Sequence, residues 1–96
     1  MSISISLDQF FEIKEKNTVQ LFVFLLDDEY LYLNNETTWL DNFNIPIYVI
    51  RMVLDDFHSM DFATHPKVLC LKKGKELFEL SGLPSIKYLQ QKISQI

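Results

Sequence analysis

The sequence predicts an α/β domain: a central mixed sheet flanked by helices, in the order β-α-β-α-β, then an antiparallel β-hairpin and a closing helix. Three observations carry this. Residues 19–26 (VQLFVFLL) and 47–54 (IYVIRMVL) are almost continuously apolar, as strands covered on both faces are. A stretch long enough for a crossover helix separates them, so the two strands run parallel. Near the end, LKKGKELFEL places a glycine-containing turn between two strand-like runs, which reads as a hairpin.

The elements follow in order. Ser2–Ile5 alternates serine with isoleucine, which suits a short edge strand. Ser6 with Gln9 three residues later has the capping-box form, and Leu7, Phe10, Phe11 and Lys14 fall at helical spacing. Residues 7–16 are therefore expected as a helix with one apolar face, ended by Asn17. After the first buried strand, Tyr32, Asn35, Trp39 and Phe43 share a helical stripe, so residues 30–43 are read as a helix, irregular at its start. Ile45-Pro46 restarts the chain. The second buried strand is interrupted by Arg51. Residues 57–63 make one or two helical turns. Val68 to Leu71 is a strand, and residues 72–75 form a turn in which Gly74 takes positive φ. Residues 76–80 are expected as a half-exposed strand with Glu outward and Leu or Phe inward. Residues 85–96 close the fold as a helix with Ile86, Leu89, Ile93 and Ile96 on one side.

Composition narrows the function classes. Ninety-six residues with 48% apolar content fit one domain, residues 1–96, with its own core. A net charge of −4 argues against nucleic acid, whose binding needs a basic patch, and against docking on an anionic membrane. Lys72, Lys73 and Lys75 read as a solvated hairpin tip. One cysteine, Cys70, permits neither an internal disulfide nor a thiolate zinc site. No signal-peptide pattern and no apolar run of spanning length is found, so the expected location is the cytoplasm.

The C-terminal half resembles the thioredoxin pattern of a short helix, a cis-proline, a strand, a Lys-x-Gly turn, a strand, a glycine and a last helix. Here these are Pro66, residues 68–71, Lys72-Lys73-Gly74, residues 76–80, Gly82 and Ser85 onward. LDQFFEIKEKNTVQLFVFLL looks like the family's first helix running into its central strand. The resemblance implies a thioredoxin-like fold over nearly the whole chain. Thioredoxins carry a Cys-x-x-Cys pair just past the central strand. The corresponding positions are Glu29 and Tyr32, within Glu29-Tyr30-Leu31-Tyr32, and hold no thiol. Disulfide exchange needs an attacking thiolate and a second thiol for release. Cys70, mid-strand, reads as a small hydrophobe. Thioredoxin-type oxidoreductase activity is therefore not expected.

The resulting expectation is a non-catalytic module that binds another protein and needs no cofactor. Its groove would lie between Glu29, Tyr30 and Tyr32 on one side and Thr64, His65 and Pro66 on the other. Backbone pairing beside the proline and aromatic anchors would supply recognition. Two alternatives stand beside it. Asp27, Asp28 and Glu29 end one strand, and Asp55 and Asp56 end its neighbour. Acids converging there would hold Mg²⁺ or Ca²⁺ for phosphoryl-transfer chemistry, against the plainer reading that they are solvated and stop the strands. Leu25 to Glu29 also resembles the acidic pocket of a response-regulator receiver domain, but that fold is all-parallel and the hairpin speaks against it. His65 and His58 lack a fixed ligand spacing and so make a weak metal pair. The other alternative is a structural homodimer paired along the edge strand at residues 2–5 or 76–80.

Overall fold

The structure, a computed structural model, describes residues 2–29 and 43–96. Its elements are β1 (Ser2–Ile5), α1 (Leu7–Ile13), β2 (Gln20–Leu26), β3 (Ile47–Met52), α2 (Leu54–Ser59), β4 (Lys67–Lys72), β5 (Lys75–Ser81) and α3 (Ile86–Ser94). The five strands form one sheet in the order β1-β3-β2-β4-β5. β3 runs parallel to both β1 and β2. β4 is antiparallel to β2 and to β5. The mixed sheet, its parallel N-terminal strands and its antiparallel terminal hairpin match the expectation. The helix expected over residues 30–43 lies outside the described residues, apart from Phe43, which is not helical.

The two-sided burial of the central strands builds two cores. Side chains alternate across a strand with period two. Leu21, Val23 and Leu25 of β2 therefore join Ile47, Val49, Val68, Cys70 and Leu89 on one face. Phe22 and Phe24 join Phe10, Tyr48, Ile50, Met52, Phe57, Leu69 and Leu71 on the other. α3 covers the first face through Leu89, and α1 and α2 cover the second through Phe10 and Phe57. β2 lies in the middle of the sheet and is buried from Gln20 through Leu25. Each of its buried phenylalanines stabilises the fold by about 1.5–3 kcal/mol relative to exposure.

Several boundaries differ from the sequence reading, each for a local reason. α1 is capped by Ser6 and Gln9 as expected, but it ends at Ile13 rather than Lys16. The carbonyls at and just past its C-terminus are taken by the hairpin: Gly74 N–H donates to Lys14 O (2.7 Å) and Lys73 N–H to Lys16 O (2.8 Å). Orphan carbonyls at a helix end need such partners. Phe11 is left exposed, with the Lys14 ammonium over its ring and that of Phe10. Lys73 and Gly74 both have positive φ (55° and 75°), the twist that a two-residue hairpin loop requires. In β5 the expected alternation fails at Leu77. The register with β4 shifts between Cys70 and Leu71, so Cys70 pairs with Phe78 and Leu71 with Glu76. Leu77 is the extra residue of this bulge and is exposed, while Phe78 and Leu80 turn toward the core. α2 begins at Leu54, three residues earlier than expected, and Asp56 Oδ2 accepts from Val53 N–H at its start (3.4 Å). Ile96 lies past the end of α3 and is exposed rather than packed.

Candidate functional site

β2 and β3 run parallel and side by side, so their carboxyl ends emerge together. Open α/β sheets keep their sites at such ends. β2 ends at Leu26, and residues 27–29 are helical. Glu29 then folds back over the strand end. Its Oε1 accepts from Leu26 N–H (2.9 Å), and its Oε2 lies 3.0 Å from Nδ1 of His65. A carboxylate offers only acceptors, so Nδ1 carries the hydrogen of this bond and a neutral ring keeps Nε2 as an acceptor. The imidazole also packs edge-on against Phe57 of α2, with ring centres 5.5 Å apart. One side chain from the end of β2 thus reaches the residue that precedes Pro66.

The loop before β4 completes the other wall. The His65–Pro66 peptide bond is cis. Thr64 and His65 are exposed and stand before β4 begins at Lys67, outside its pairing with β2. Pro66 O accepts from Gly82 N–H (2.8 Å), which draws the segment after β5 alongside. Gly82 takes φ +77°, a left-handed conformation that glycine adopts without Cβ strain. Together these segments enclose an open, mainly apolar hollow of about 370 Å³ lined by Asp28, Glu29, Pro66 and Leu83.

Of the residues singled out from sequence, the structure brings Glu29, His65 and Pro66 together, with Thr64 adjoining. Tyr30 and Tyr32 lie outside the described residues. Leu83 was missed by the sequence reading; the signal available was its place directly after Gly82. Arg51 was read only as an interruption of a buried strand. Its Nε lies 3.1 Å from Asp27 Oδ1, pairing the ends of two neighbouring strands.

The acids do not assemble into a cation site. Asp27 faces Arg51, and Asp56 turns back to its own helix start. Asp55 and Asp56 occupy the first turn of α2, where the helix dipole favours negative charge. Among the described residues no group of three His, Cys, Asp or Glu side chains is arranged to hold a metal ion. Nor does Cys70 approach the hollow. It sits in the middle of β4 with no exposed surface, and burial pushes its thiol up to about 11. Among the described residues no helix is long and apolar enough to cross a membrane.

No protein-family model matches the sequence, and no curated protein matches it either. Solved structures do. Thioredoxin f2 of Chlamydomonas reinhardtii superposes with a TM-score of 0.73 at 12% identity, covering 99% of this chain and 95% of that one. A mutant thioredoxin of Halobacterium salinarum gives 0.75 at 15% identity, over 98% and 88%. Thioredoxin of Trypanosoma brucei brucei gives 0.72 at 14%, over 99% and 89%. At such identities the likeness is one of fold. With a five-stranded mixed sheet, helices on both faces and a single cysteine in its sequence, the chain has a thioredoxin-like fold that lacks the cysteine pair.

Proposed function

We propose that this domain binds another protein through the hollow beside Pro66 and performs no dithiol chemistry. The observation that carries the reading is the Glu29–His65 contact. It fixes the end of β2 to the loop before β4 and leaves an apolar hollow open between Asp28, Pro66 and Leu83. An extended partner segment would pair with the backbone at Thr64 and His65 and place a side chain in the hollow. Glu29 here positions His65 and the loop, while Pro66 and Leu83 supply the apolar contact. With one cysteine, and that one buried, exchange through an intramolecular dithiol is not available to the chain.

Affinity capture from cytoplasmic extract tests the reading, using wild type beside Leu83→Arg and Pro66→Ala, with circular dichroism confirming that both variants fold. A partner retained by wild type and lost by folded Leu83→Arg supports the site. A partner retained equally by all three places the interaction elsewhere. An insulin-reduction assay with dithiothreitol should show no acceleration over the uncatalysed rate.

A further inference from the structure

The chemistry of the hollow also bears on what it would accept, an inference that rests on the binding reading above. Its wall is apolar at Pro66 and Leu83, so an apolar side chain is the natural occupant. Its rim is acidic, and the charges there are unequally satisfied. The carboxylate of Glu29 is engaged by Leu26 N–H and His65. That of Asp27, which does not line the hollow, is engaged by Arg51. Lys67, the nearest lysine in sequence to Pro66, is directed to Glu79 (3.3 Å) and lies over the Phe62 ring. Asp28 is exposed, lines the hollow and has no ionic or hydrogen-bonded partner among the described residues. The chain as a whole carries a net charge of −4, which attracts cationic partners at long range and repels acidic ones.

We propose that the hollow receives an apolar side chain of an extended partner segment whose adjacent residue is Lys or Arg, the cation meeting Asp28. An exposed ion pair is worth roughly 0.2–1 kcal/mol. A basic segment should therefore bind about threefold tighter than a neutral one, and about tenfold tighter than an acidic one, in which attraction becomes repulsion.

The test is a titration of the ¹⁵N-labelled full chain with three synthetic peptides, acetyl-Gly-Lys-Leu-Lys-Gly-amide and its counterparts with Gln or Glu in place of both lysines. The expected result is that amides at Asp28, Glu29 and Leu83 shift, in the affinity order basic, neutral, acidic. Raising salt and Asp28→Asn should each compress that order without moving the set of shifted amides. Equal affinities for all three peptides at the same amides would overturn the charge preference and leave the groove reading standing. No shift at these amides with any peptide would overturn both.

Discussion

Glu29 Oε2 and His65 Nδ1 stand 3.0 Å apart although 36 residues separate them in the chain. The same carboxyl group also caps Leu26 N–H, so one side chain serves two segments. Glu29→Ala should lower stability by about 1–2 kcal/mol, because it strips the acceptor from a half-buried amide as well as from the imidazole. Glu29→Gln keeps one acceptor oxygen, enough for Leu26 N–H, and turns an amide NH2 toward His65; it should lose less than Glu29→Ala, about 1 kcal/mol. Urea unfolding at pH 7.5 separates the two. Equal losses would mean that the contact with His65, rather than the cap on Leu26 N–H, carries the stabilisation.

Cys70 should be inert in the folded protein. Its thiol is raised to about 11 by burial, and only the thiolate attacks thiol reagents. The native chain should react with a chromogenic disulfide at pH 8 far more slowly than the urea-unfolded chain. Stability follows the same linkage. The folded state holds the proton to higher pH than the unfolded state, so the contribution is full below the ordinary thiol value near 9 and is lost as pH rises through about 11. Cys70→Ser should cost about 1–3 kcal/mol by burying a hydroxyl without an assigned partner.

Glu76 and Glu79 lie close on β5. The Glu76 carboxyl is raised by partial desolvation, by its hydrogen bond with Glu79 and by repulsion from that neighbour, with Lys67 opposing. A raised acid binds its proton more tightly in the folded state. Its contribution is therefore full in acid, below the ordinary carboxylate range, and is lost as pH climbs through the raised value. Glu76→Gln removes that loss. The melting temperature of the variant should exceed that of wild type at pH 7, and the gap should close toward pH 4. A gap independent of pH would rule out the ionisation as its cause.

Gly74→Ala and Gly82→Ala should cost similar amounts, about 1–2 kcal/mol each, from the strain of a left-handed Cβ. At Gly82 an added Cβ meets no atom within 4 Å. At Gly74 it would approach Glu15 Oε2 at 2.7 Å, but that atom ends a flexible, exposed side chain and can swing aside. Denaturant melts of both variants, and of Gly74→Ala with Glu15→Ala, distinguish strain from crowding. Rescue by Glu15→Ala would assign the loss at Gly74 to crowding.

The architecture was legible where sequence expresses burial directly. VQLFVFLL and IYVIRMVL are apolar at successive residues because both faces of β2 and β3 are covered; a strand wet on one face would alternate. The hairpin was legible from Gly74. What escaped were relationships between segments brought together only by the crossovers. Arg51 looked like a flaw in a strand until β2 placed Asp27 beside it. Convergence of the acids at residues 55 and 56 with Asp27 and Asp28 stood only as an alternative to solvated strand ends; Asp55 and Asp56 both belong to the first turn of α2, where Asp56 bonds locally to Val53 N–H. Leu77 was read as inward because ELFEL gives no sign of which residue a bulge will expel. The juxtaposition of Glu29, His65 and Pro66 that makes the candidate site was legible through the thioredoxin-like spacing, and Leu83 was not, since an apolar residue after a glycine has many uses.

The bulge at Leu77 also shapes how the molecule behaves in a crowd. β5 is an outer strand of the sheet, and an outer strand offers its unpaired amides and carbonyls to any other chain. Here that row is kinked midway and flanked by Lys75, Glu76 and Glu79. At the opposite edge, β1 is only four residues long. Fibril growth needs a long, flat and uncharged template, and neither margin of this sheet provides one. A chain with two strongly apolar strands at its centre thereby confines its most aggregation-prone segments to the one place where both neighbours are already supplied.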